Sequence, residues 1–111
     1  QVFTNAVKIA FMYVTLDKNK REMREYATKA LNNAQAYFYP SINKLATISE
    51  AYIYLGKLED AKKYYKKVAE KAGIRYRMKC YEQAVLVYTI LFQPENKKND
   101  FLVFLEETLL S

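Results

Sequence analysis

The stretch Leu45-x2-Ile48-Ser49-x2-Tyr52-x3-Gly56-x4-Ala61-x3-Tyr65-x2-Val68 decides the fold. Leu45, Ile48, Ser49 and Tyr52 recur at three-four spacing, so they share one face of a helix. Ala61, Tyr65, Val68 and Ala72 do the same in the segment that follows. Gly56, between the two, is a residue that ends helices in the left-handed conformation. Asp60, just beyond it, is a start signal for the next helix. Two amphipathic helices joined by a short turn make an αα-hairpin. Small Ser49 and Ala61 are expected where the helices cross, with Tyr52 and Tyr65 filling the gaps around them.

Working outward, the same face is written a second time. Ala6, Ile9, Ala10 and Tyr13 precede Leu45, Ile48, Ser49 and Tyr52 by 39 residues each. Four matches at one offset signal an internal repeat. The first helix is therefore read from Val2 to about Leu16, followed by the polar turn Asp17-Lys18-Asn19, with Asp17 or Asn19 as cap. The second, Lys20 to Ala36, turns Met23, Ala27, Ala30 and Leu31 inward. Ala30-Leu31 matches Val68-Ala69 at an offset of 38, so the two loops differ by one residue. Tyr37-Phe38-Tyr39-Pro40 is the break, because proline disfavours helix in the residue before it. Its aromatics either plug the seam between hairpins or face a binding groove. Gly73 closes the fourth helix. A fifth, Arg75 to Phe92, repeats the motif loosely as Tyr81, Ala84, Val85 and Tyr88. From Ala84 onward it is apolar nearly all round and needs cover on more than one side. Pro94 and the polar run Glu95 to Asn99 end it. The last helix, Asp100 to Leu110, is either the second rod of a third hairpin or a cap docked on the stack. The predicted architecture is all-α, with about six helices as antiparallel hairpins over units 2–36, 40–72 and 75–110. They stack into a right-handed solenoid in one domain spanning 1–111.

Composition agrees. At 111 residues the chain makes one ordinary domain, and 51% hydrophobic content suffices for a core. Two Gly and two Pro supply little turn chemistry, which suits long helices. No run approaches the roughly 20 apolar residues of a membrane span. The single Cys excludes an internal disulfide, and a cytoplasmic location is the simplest expectation. The chain starts at Gln1 without a signal-peptide pattern and reads as a piece of a longer or processed protein. A net charge of +6 can attract nucleic acid or an acidic partner, though a solvated helix face accounts for most of the lysines. The fourth helix carries Lys62, Lys63, Lys66, Lys67 and Lys71 on its outer side. Glu59 and Lys63 form a favourable i,i+4 pair, while Lys62 with Lys66 and Lys67 with Lys71 oppose it. That charge is not arranged for helix stability, which leaves room for an acidic partner.

The usual catalytic chemistry is missing. The sequence has no His, hence no Ser-His or Cys-His pair and no common metal ligand. Cys80 has no ligand companion. Lys79 beside it can lower its pKa, but an inert packed thiol is the weightier reading. Gly56 and Gly73 are isolated, so no phosphate loop exists. Glu59-Asp60 and Glu106-Glu107 diverge on their helices. No enzyme, catalytic residue, cofactor or metal is expected, and the function is sought on a surface. In stacked hairpins the first helix of each unit lines the concave side. That assigns Thr4, Val7, Phe11 and Val14 from the first unit and Asn43, Ala46, Glu50 and Tyr54 from the second. Lys79, Glu82, Leu86 and Thr89 come from the third. Aromatics, an amide and both charge signs suit an extended peptide, and an empty groove would need a polar lining equally.

Small residues at the crossing with aromatics around them resemble the tetratricopeptide repeat, a helix-turn-helix unit. Arg24-Glu25-Tyr26-Ala27-Thr28-Lys29-Ala30-Leu31, Thr47-Ile48-Ser49-Glu50-Ala51-Tyr52 and Ala61-x3-Tyr65 resemble the peptide-sensing regulators of Gram-positive bacteria and their phages. Within that group they are most similar to the arbitrium receptors of temperate Bacillus phages. The resemblance covers about Val2 to Leu91. It implies a cytoplasmic quorum-sensing or lysis-lysogeny receptor whose concave groove binds a short imported peptide, which switches DNA binding or dimerisation. The groove of that family uses asparagines and an arginine, where this sequence offers Glu50 and Phe38-Tyr39. Contact with nucleic acid is then expected only through a separate DNA-binding domain. Two other readings stand beside this one. In one, the domain serves only as a scaffold that self-associates through the last helix, by Phe101, Leu102, Leu105 and Leu109. Alternatively Lys62, Lys63, Lys66 and Lys67 contact nucleic acid, although no recognition-helix pattern accompanies them.

Overall fold

The computed structural model describes residues 2–96 and 98–111, without the side chains of Val2 and Asp17. Six α-helices account for most of it: α1 (Val2–Met12), α2 (Lys20–Ala36), α3 (Ile42–Tyr54), α4 (Leu58–Lys71), α5 (Ile74–Phe92) and α6 (Asp100–Leu109). A short π-helical segment, Tyr13–Asp17, prolongs α1. There is no strand among the described residues.

The helix ends follow local chemistry. Asn19 caps α2, its side chain accepting from Glu22 N at 3.1 Å; the expectation for Asp17 lies outside the described residues. Ser41 caps α3 through Lys44 N, and Asn99 caps α6 through Phe101 N and Leu102 N. Each side-chain oxygen satisfies an amide that the helix leaves unpaired. Gly56 adopts φ 76°, and the α3 carbonyls are closed by Gly56 N to Ile53 O and Lys57 N to Tyr52 O. That is the Schellman arrangement, which needs the left-handed residue. Gly73 has a different role from the one expected. Ala72 ends α4, and Gly73, at φ −74°, is the cap residue that opens α5.

α1 packs on α2, and α3 on α4, as two hairpins lying side by side through α1, α2 and α3. Ala10, Ala27, Ala30 and Ala34 in the first hairpin and Ser49, Ala51 and Ala61 in the second are fully buried. Their small size lets the backbones approach. Ser49 stays satisfied by donating its hydroxyl to Leu45 O at 2.8 Å. The internal repeat recurs in the packing: Tyr13 stacks on Tyr26 at 5.6 Å, and Tyr52 meets Tyr64 at 5.8 Å. Tyr64, rather than Tyr65, therefore completes the second hairpin beside Tyr52.

The third pair is set differently. α4 and α5 share the Ala72-Gly73 turn but diverge from it and make little contact with each other. α5 leans on α3 and on the π-helical end of α1, and α6 packs on both α4 and α5. Phe101, Leu105 and Leu109 are buried there, and Leu102 is half-buried. Tyr88 donates its hydroxyl to Asn99 Oδ1 at 3.0 Å, with its ring 4.8 Å from Phe101. Arg77 donates to the carbonyls of Ala72, Leu109 and Ser111, tying the start of α5 to the end of α6. The last helix is thus docked on α4 and α5, in keeping with the cap reading, and as a correction to the self-association set Phe101, Leu105 and Leu109 are buried within the chain while Leu102 is only half-buried. Divergence of α4 from α5 leaves a wedge whose apolar walls must be covered, and α6 covers them with those residues.

The aromatic break is divided. Tyr37 is half-buried against Phe3, ring centroids 5.3 Å apart, and plugs the seam. Phe38 and Tyr39 project, 87% and 65% exposed. No helix among the described residues is long and apolar enough to cross a membrane.

Candidate functional site

Because α1 and α5 both rest on α3, a cleft of about 450 Å³ opens between them, with α3 as its floor. Val7, Phe11 and Met12 form the α1 wall, Asn43, Ala46 and Glu50 the floor, and Tyr76 and Gln83 the α5 wall. A smaller hollow of about 210 Å³ continues past Glu50 toward Tyr65, Lys79 and Cys80. Glu50 lines both, at the point where α3, α4 and α5 come together.

The carboxylate of Glu50 is held by neutral donors alone. Tyr54 donates its hydroxyl to Oε2 at 2.8 Å, and Gln83 donates Nε2 to the same oxygen at 3.3 Å. Oε1 has no hydrogen-bond partner among the described residues, yet no buried polar side-chain atom there is left unpartnered. The half-buried Glu50 side chain lines the cleft and the smaller hollow. No lysine or arginine among the described residues lies within ion-pair distance, although Lys8 and Lys79 line the two hollows. Burial pushes the Glu50 carboxyl above its ordinary value of 4.5, and the two hydrogen bonds offset only part of that. Burial, with the charge of Glu50 added, likewise raises Tyr54 and Tyr65 and lifts Cys80 to about 11. Cys80 is thus a thiol at neutral pH, and Lys79 does not activate it.

A raised carboxyl pKa has a definite sign in stability. The folded state binds the proton more tightly than the unfolded state, so stability is full below pH 4.5 and falls as pH rises through the folded value. Above it, the ionised group destabilises the fold. Glu50→Gln keeps an acceptor for Tyr54 and removes the charge. Its melting temperature is expected to exceed the wild type's at neutral pH, with the gap closing below pH 4.5. Thermal melts at the two pH values check this, and a gap independent of pH would contradict it.

The residues assigned from sequence are only partly gathered here. Thr4, Val7, Phe11, Asn43, Ala46 and Glu50 line the main cleft, and Lys79 the smaller hollow. Tyr54 is buried beneath, reaching the site through its hydrogen bond to Glu50. Val14 and Thr89 line a separate hollow where the π-helical end of α1 meets the end of α5. Glu82 and Leu86 are exposed and line none of these hollows. In their place α5 presents Tyr76 and Gln83, and Tyr76 donates its hydroxyl to Asn43 Oδ1 at 2.6 Å. The spacing of Tyr76, Lys79 and Gln83 on one helical face was the available signal. Charged and apolar residues alternate from Arg75 to Gln83 without a clear stripe, which hid the face.

The chain matches no family model, no curated protein and no solved structure. Nothing in those comparisons links it to tetratricopeptide repeats or to peptide-sensing regulators.

Proposed function

We propose that this protein is a binding module, not an enzyme, that holds an extended peptide or protein segment in the cleft between α1 and α5. A cationic group of that segment, a lysine, an arginine or a free amino terminus, seats on Glu50. The carrying observation is a half-buried carboxylate on a cleft floor, with one oxygen free of hydrogen-bond partners and no cation partner among the described residues. A partner cation recovers the electrostatic energy that burial took from it. Val7, Phe11 and Met12 offer apolar contact, and the amides of Asn43 and Gln83 suit a peptide backbone. The recurrence of the Tyr13–Tyr26 and Tyr52–Tyr64 closures supports reading the hairpins as a right-handed tetratricopeptide-like stack with this cleft on its inner side. The role as sensor of a peptide-regulated transcription regulator, with occupancy switching DNA binding or dimerisation elsewhere in the assembly, rests on the sequence resemblance.

Selection from a random peptide library tests the reading. Wild-type protein is expected to enrich peptides with a basic side chain or an unblocked amino terminus. Glu50→Gln, which removes only the charge, is expected to bind them about tenfold more weakly, the scale of one charge-assisted hydrogen bond. Enrichment of the same peptides with the same affinity by both proteins would overturn it.

A further inference from the structure

Two features that the sequence sets apart and the cleft does not use, the aromatic run and the lysine row of α4, come together at one place. A second recess, of about 580 Å³, lies between the 37–41 loop, the first turns of α3 and the last turns of α4. Pro40, Ile42 and Leu45 give it an apolar floor, and Phe38 stands at its edge, 87% exposed. Lys44, Lys67 and Lys71 line it against a single carboxylate, Glu70, and none of the three lysines forms an ion pair among the described residues. Lys44 donates to the Tyr37 carbonyl at 2.6 Å, and Lys67 lies 4.5 Å over the Tyr64 ring. These contacts fix where the two ammonium groups sit, and of its three donors each ammonium keeps at least two to offer. Lys67 and Lys71 are one helical turn apart, a like-charge pair that an external anion relieves.

We infer that this recess docks an acidic protein segment bearing one large apolar side chain. The apolar side chain covers Pro40, Ile42 and Leu45 beside Phe38, and flanking carboxylates meet Lys44, Lys67 and Lys71. A positively charged rim over an aliphatic floor fits that chemistry better than either alternative. A bilayer is too flat to fill a recess, and a polynucleotide would neutralise the lysines while leaving the aliphatic floor uncovered. The site is independent of the Glu50 cleft and opposite to it in charge. The first turn of α3 divides them, Asn43 facing the cleft and Ile42 and Lys44 the recess.

The test is an NMR titration of the labelled protein with a short, end-blocked peptide of glutamates flanking one leucine. Shifts are expected to concentrate on residues 38–45 and 67–71. Replacing the leucine by alanine weakens binding about tenfold, the scale of one buried apolar side chain. The double variant Lys67→Gln, Lys71→Gln weakens it by a similar factor, and added salt weakens it in the wild type. An unchanged far-UV helical signal confirms that the variant is folded. Shifts scattered elsewhere, no shifts, or equal binding of a lysine peptide would overturn the inference. So would binding of phosphatidylserine vesicles or an oligothymidylate in the absence of peptide binding.

Discussion

Leu105→Asp is expected to release α6 and to lower the stability of the whole domain by about 3–5 kcal/mol, the range for an unpaired charge placed in a core. Leu105 is fully buried, between Phe101 and Leu109 on the face of α6 that fills the wedge between α4 and α5. An aspartate there would be buried without a cation, so the helix leaves the wedge instead. Undocking strips Tyr88 of Asn99 and Phe101, and Arg77 of the Leu109 and Ser111 carbonyls. Urea unfolding followed by far-UV circular dichroism measures the loss, and hydrogen exchange locates it in α6. Leu102→Asp, at a half-buried position, is the control and is expected to cost far less. An unchanged urea midpoint for Leu105→Asp would mean that α6 does not dock as described.

Tyr65→Ala is expected to cost about 3–5 kcal/mol, the range for emptying a fully buried aromatic site. Tyr65 is 2% exposed on α4 and reaches the hollow shared by Glu50, Tyr76 and Cys80. The backbones of α4 and α5 make little contact, and Tyr65 brings α4 to the hollow lined by Ala46 and Glu50 of α3 and Tyr76 and Cys80 of α5. Truncation would leave a cavity directly beneath Glu50. Tyr65→Phe retains the volume and removes only a hydroxyl that opens on the hollow, so it is expected to be nearly neutral. Urea midpoints of the two variants separate packing from polarity. Equal losses in both would show that the hydroxyl, not the ring, holds the helices together.

Both variants act where sequence and structure part company. The all-helical character, the six helices and most of their ends were legible, because caps and periodicity are local signals. Asn19 caps through an amide three residues on, as expected, and Gly56 ends α3 by its own left-handed backbone; Ser41 and Asn99 cap by the same local chemistry, although neither was expected as a cap. Gly73 was misread because a glycine at a helix junction serves an ending and a beginning equally well. The floor of the cleft was also legible, since Asn43, Ala46 and Glu50 fall on one face of an amphipathic helix.

The α5 side of the cleft was not. A helix whose first half mixes charged and apolar residues on all sides, and whose second half is apolar nearly all round, carries little mark of which face meets which neighbour. Its rotation is fixed by α3, α6 and the end of α1 acting together, and that turned Gln83 toward Glu50 and left Leu86 exposed. The fate of α6 was hidden for the same reason, because Phe101, Leu105 and Leu109 make an apolar face without naming its partner. The sequence by itself determined the rods, their caps and the repeated crossing of small residues, all written in contacts between near neighbours. Only the tertiary structure decided where the third pair sits, because the placement of α5 and α6 depends on contacts between residues more than thirty apart in sequence, such as Arg77 with the Leu109 carbonyl.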